Sequence, residues 1–144
     1  MYQLNYHSQS KSKLEIKDLE RILEESTVRN KERNITGCLI YHNNSFVQIL
    51  EGKKKDILDV YEKIKTDERH HNVILLYKNP IDKRCFTDWN MAYHQPNDQY
   101  IIQFVNNLLL LSQLSDKASN SLLTFWGQVR RILKSGPIEH IENI

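Results

Sequence analysis

Cysteine is scarce in this sequence. Only Cys38 and Cys85 occur among the 144 residues, far apart and in no C-x-x-C spacing, which excludes a disulfide framework and a zinc knuckle and fits a reducing cytoplasm. Long apolar runs are missing too. The N-terminal MYQLNYHSQSKSKLE holds no stretch of signal-peptide length, and the most apolar segment, residues 100–114, is interrupted by Gln103, Asn106, Asn107 and Gln113; a soluble, cytoplasmic chain without a membrane partner is expected. Charge of one sign is not in excess: 20 Lys and Arg stand against 18 Asp and Glu, a net charge of +2, with no basic block of the kind that binds a phosphate backbone. Direct nucleic-acid binding is therefore not expected. No internal repeat or low-complexity tract divides the chain, and its length suits one domain able to bury roughly two-thirds of the surface it exposes when unfolded.

What is present is a succession of periodic segments. Residues 2–7 alternate apolar Tyr2, Leu4 and Tyr6 with polar neighbours, the period of a half-buried strand, β1. Residues 15–30 place Ile16, Leu19, Ile22 and Leu23 at helical spacing and form α1. Two strand-like runs follow, β2 over 35–42 and β3 over 45–51, separated by Asn43 and Asn44, which tolerate the positive φ of a tight hairpin. Residues 53–66 return to helical spacing as α2, with Lys53, Lys54 and Lys55 starting a solvated face. Residues 73–77 predict β4, and residues 85–93, with Phe86, Trp89, Met91 and Tyr93, predict β5.

The order βαββαββ predicts an α+β, ferredoxin-like mixed sheet with both helices on one face, because crossovers are right-handed. Beyond it, residues 98–112 and 116–134 read as two amphipathic helices, stopped at Gly136 and Pro137 and expected on the other face. Their apolar positions, Ile101, Phe104, Val105, Leu108, Leu122, Phe125, Trp126 and Val129, can bury against the sheet, another subunit or a partner.

Three polar side chains share a face with the predicted core. Tyr6 lies on the side of Leu4, Gln48 on the side of Phe46 and Leu50, and the stripe Leu19, Leu23, Ser26 continues to Asn30 at the end of α1. Each costs about 1–3 kcal/mol if buried without a partner. They can satisfy one another or the backbone, as single buried polar groups usually do. Together they also match a planar heterocycle whose rim alternates carbonyls with N and N–H, such as a flavin, a purine or a pteridine. Adjacent His70 and His71 point apart and have no further ligand at matching spacing, so no metal is expected.

The stretches ITGCLIY and FVQILEG, then DERHH, then FTDWNMAY, resemble in their order and separations the BLUF family of blue-light sensors that use flavin. The resemblance covers residues 2–93. It implies a photoreceptor, not an enzyme, that binds FAD non-covalently, with FMN or riboflavin as possible substitutes. By resemblance Tyr6 and Gln48 are the photoactive pair, and Ile22, Leu23, Arg29, Asn30, Asp67, Arg69 and His70 contribute to the flavin site. Ser8, Trp89 and Met91 belong to the signal relay.

Light-driven transfer of an electron and a proton from Tyr6 through Gln48 is implied to strengthen hydrogen bonding to the flavin C4 carbonyl. Residues 1–93 would form the flavin-binding core and 94–144 a C-terminal helical output segment. A homo-oligomer and a separate, unidentified protein partner are expected. Two positions depart from the family's pattern: Lys31 follows Asn30 where a second Asn is common, and Asn34 stands where Gly usually precedes I-T-G. Asn34 can supply the left-handed backbone that Gly would. The competing readings are a flavin-free ferredoxin-like interaction module and a small phosphatase. The latter needs a Gly-rich, Arg-bearing loop after β1, where this chain has SQSKSKLE.

Overall fold

A computed structural model describes residues 1–42, 44–87, 92–94 and 126–131, with positions 42 and 92–94 described by their backbone. Seven elements follow the predicted order: β1 (Tyr2–Ser10), α1 (Ile16–Glu32), β2 (Thr36–His42), β3 (Ser45–Gly52), α2 (Lys54–Thr66), β4 (His70–Pro80) and β5 (Ala92–His94). The five strands lie in the order β4-β1-β3-β2-β5, with β2 and β5 parallel. β3 is the central strand, and β1 beside it pairs antiparallel with β3 and β4.

Local chemistry explains the joints. The Glu15 N–H donates to the Asp18 carboxylate at 3.1 Å, closing the first turn of α1. At the other end Asn34 sits at φ 54°, while the Ile35 and Asn34 N–H groups return to the carbonyls of Asn30 and Lys31 at 2.8 and 3.4 Å. This is a Schellman closure with Asn in the left-handed position, the role expected of Asn34. Asn44 likewise adopts φ 61° in the two-residue connection between His42 and Ser45, as the hairpin reading requires; Asn43 lies outside the described residues.

Three strands differ from expectation. β1 continues past residue 7 to Ser10, its polar end recruited by pairing with β3 and β4. β4 runs beyond residues 73–77 because β1 offers it a full-length partner, from Tyr2 opposite Pro80 to Ser10 opposite His70, so the ladder recruits polar ends that have no strand signature of their own. Pro80 is accommodated because β4 is a sheet edge. β5 is shorter at its start. Cys85 and Phe86 are not in a strand; their amides bind the Glu51 carboxylate at 2.9 and 2.8 Å in place of a ladder.

The sheet buries two faces. On one, Leu4, Tyr6, Leu39, Phe46 and Leu50 pack with Ile22 and Leu23 of α1 and with Ile57, Val60 and Ile64 of α2. On the other, Cys38, Ile40, Val47 and Ile49 pack with Phe86, Trp126 and Val129. Residues 126–131 are helical, so this part of the predicted second C-terminal helix covers the far face as expected. The predicted helix over 98–112 and the rest of 116–134 lie outside the described residues.

Candidate functional site

The β1–β3 register places Tyr6 directly opposite Gln48. Both point to the helix-covered face, both are buried, and the Tyr6 hydroxyl donates to Gln48 Oε1. Burial is the main cause of a Tyr6 hydroxyl pushed well above its ordinary value of 10; the Arg29 charge opposes the rise, and Asp67 and Tyr61 add to it. Tyr6 therefore stays protonated at neutral pH and holds its proton against the carboxamide.

α1 delivers the next group. Ile22, Ser26 and Arg29 follow one another at helical spacing toward Tyr6, and with Leu39, Phe46, Gln48, Ile64, Asp67, Arg69 and His70 they line one cavity. Arg29 donates through Nε to Asn30 Oδ1 at 3.3 Å, and burial pulls its guanidinium below the usual range. Asn30 is fully buried at the helix end.

The opposite wall comes from the turn between α2 and β4. Arg69 donates through Nε to Asp67 Oδ1 at 3.1 Å and through a terminal nitrogen to Asp67 Oδ2 at 2.7 Å, a bidentate pair, and its other terminal nitrogen reaches Glu25 Oε2 at 2.9 Å. Burial raises the Asp67 carboxyl, but its hydrogen bonds and ion pair with Arg69 outweigh this and leave it lowered. His70 approaches the Tyr6 ring edge-on at 6.4 Å between centroids, and its Nδ1 shares a hydrogen bond of 2.9 Å with Ser8 Oγ. Burial lowers the His70 pKa below 6.5, partly offset by Asp67.

Tyr6, Gln48, Ile22, Arg29, Asp67, Arg69 and His70 thus meet around one space, with Ser8 touching it through His70. Leu23 packs in the core and Asn30 at the helix end without lining the cavity. Trp89 and Met91 lie outside the described residues. Four lining residues were not singled out as site residues: Ser26, Leu39, Phe46 and Ile64. Ser26 was legible as a polar residue on the apolar stripe of α1; the other three carry only a core signature. Among the described residues no cluster of three or more His, Cys, Asp or Glu could hold a metal.

The donor set suits a ring edge that alternates carbonyl oxygens with N–H, because guanidinium groups donate and carboxamides do both. The cavity itself measures about 20 Å³, room for a water molecule. A tricyclic ring is far larger than this, so its entry requires the surrounding side chains to move, Arg69 with its contacts to Glu25 and Asp67 among them. The single contact of Arg69 with Glu25 is partly exposed, at 37% and 54%, and such a pair contributes only about 0–1 kcal/mol; the bidentate pair with Asp67 is the stronger of the two.

Comparison with known proteins matches the part of the chain that contains these residues. The family model described as BLUF, sensors of blue-light using FAD, matches residues 1–92. The photoactivated adenylate cyclase subunit beta of Euglena longa is 35% identical over 123 residues, 85% of this chain but only 14% of that protein. Among solved structures, BlsA in its photo-activated state superposes with a TM-score of 0.77 at 33% identity, covering 90% of this chain and 94% of that one. The dark-state structure of BlrB, a BLUF protein, gives a TM-score of 0.72 at 26% identity, covering 89% and 96%.

Proposed function

Because the chain belongs to the BLUF family of flavin-using blue-light sensors, we propose that it is a photoreceptor in which Tyr6 and Gln48 convert absorption into a hydrogen-bond change. The observation that carries this reading is the buried Tyr6–Gln48 hydrogen bond on the wall of the cavity between α1 and the 67–70 turn. FAD, when bound, supplies the absorption of blue light and the electron-accepting ring. Ile22 and Ile64 provide apolar contact for that ring, Arg29 and Arg69 offer donors to its carbonyl edge, and Asp67 with His70 completes the wall; Leu23 and Asn30, just behind that lining, join the contact as the ring widens the cavity.

Tyr6 gives up one electron and one proton, and Gln48 passes the proton. Both return to Tyr6, so no net redox change or covalent bond to the protein results. What remains is an altered Gln48 carboxamide, and inside a buried site one altered hydrogen bond carries weight that it lacks in water. Residues 1–93 act as the sensing core and 94–144 as the output, through Trp89 and Met91, to a protein partner or a second copy of the chain.

The test is spectroscopic. Purified protein is expected to be yellow, to release FAD on denaturation, and to show a small, reversible red shift under blue light. Gln48→Leu should bind flavin without the shift, and Tyr6→Phe should abolish the ordinary photocycle. A normal light response in both variants would overturn the assignment.

A further inference from the structure

The same two strands that carry Tyr6 and Gln48 carry a second polar pair on the opposite face. Gln3 lies three residues before Tyr6 and Glu51 three after Gln48, and Gln3 pairs with Glu51 in the β1–β3 register just as Tyr6 pairs with Gln48. An odd offset along a strand turns a side chain to the other side of the sheet. Glu51 is fully buried, and three donors converge on it: Gln3 Nε2 and the Cys85 N–H on Oε2, each at 2.9 Å, and the Phe86 N–H on Oε1 at 2.8 Å. A carboxylate, which only accepts, is the side chain that matches such a set. Hydrogen bonds to it are about twice as strong as those between neutral groups.

Arg84 reinforces the same junction. Its guanidinium donates to the Glu51 backbone carbonyl at 3.0 Å, to Thr36 Oγ1 at 2.9 Å and to the Asn34 carbonyl at 2.7 Å. Residues 84–86 are thereby stapled to the β2–β3 pair. Phe86, fully buried, then meets Trp126 edge to face, with centroids 5.9 Å apart and ring planes at 85°. Trp126 lies in the helical segment 126–131.

We infer that Glu51 is a positioning residue for signal output: it ties β3 to Cys85 and Phe86, so that a displacement of β3 at Gln48 reaches Trp126 and the C-terminal helical segment through Phe86. The inference rests on the light-sensing reading above, and adds a route that leaves Trp89 and Met91 aside. Glu51 touches neither the cavity nor Tyr6, so its substitution separates output from photochemistry.

The experiment compares the full chain, flavin-loaded, in darkness and under blue light, following the absorption shift together with amide hydrogen exchange. Wild-type protein should show the red shift and a light-dependent change in exchange across 126–131. Glu51→Gln, which turns one acceptor into a donor facing an N–H, should keep the full red shift and lose that change. Retention of the change in Glu51→Gln, or its absence from wild-type protein that does red-shift, overturns the inference; absence of the red shift from wild-type protein overturns the light-sensing reading instead. Should Glu51→Gln fail to fold, Phe86→Leu cuts the next contact and should give the same loss. The dark wild-type protein offers an independent check, since Cys85 and Phe86 amides held by Glu51 must exchange slowly, and exchange at the rate of an open loop sinks the proposal.

Discussion

At Gly37 a side chain has nowhere to go. A Cβ there would stand 2.1 Å from the carbonyl oxygen of Ile49, a backbone atom of the neighbouring strand that cannot swing aside. Gly37→Ala must separate β2 from β3 beside Gln48, and overpacking of this kind costs about 1–3 kcal/mol; urea unfolding should place the variant at the upper end of that range. His7 shows the converse problem. It is buried, and neither ring nitrogen has a hydrogen-bond partner among the described residues. Burial lowers the pKa of His7, as it does that of His70, below the ordinary 6.5. Near and below that value the unfolded chain binds more protons than the folded one. Stability is therefore full above about pH 6.5 and falls as the pH drops through it. The urea midpoint should be lower at about pH 5.5 than at about pH 7.5, and His7→Leu should shrink the difference. At the higher pH that variant should be no less stable than the parent, because an orphaned buried polar group costs about 1–3 kcal/mol.

Among the elements, α1 matters most to the site, since its last turn places Arg29 and Asn30. The Asn34 closure sets where that turn ends. A β-branched residue in the left-handed region costs about 1–2 kcal/mol, so Asn34→Val should lower the thermal midpoint, while Asn34→Gly should leave it nearly unchanged; equal effects of the two would show that the left-handed turn is not what matters. The elements also show where sequence periodicity stops being informative. α1, α2 and the β2–β3 hairpin depend on contacts or turns close in sequence, and their positions were legible to within a residue or two. β4 and β5 depend on partners distant in sequence. The ends of β4 carry no strand pattern and are strands because β1 lies beside them, whereas Phe86 looks like part of a strand and is instead held by Glu51.

For the whole molecule, the sheet has two buried faces: one is lined by helices α1 and α2 and contains Tyr6 and Gln48, the other is covered by Phe86, Trp126 and Val129. Trp126→Ala should destabilise the protein by about 3–5 kcal/mol, as removal of a fully buried indole usually does, measured as a shift of the denaturant midpoint. A loss below about 1 kcal/mol would mean that residues 126–131 do not pack on the sheet in solution.

The sequence by itself determined the order of the elements, the face that each strand turns to the helices, and the presence of Tyr6, Gln48 and Asn30 on the buried side, because period-two and helical spacings are local properties of the chain. Only the tertiary structure decided that Tyr6 stands directly opposite Gln48, that Arg69 joins Glu25 to Asp67 across the cavity mouth, and that Glu51 gathers donors from residues 3, 85 and 86. Strand register and long-range hydrogen bonds join residues dozens of positions apart, and no spacing along the chain encodes which of them meet.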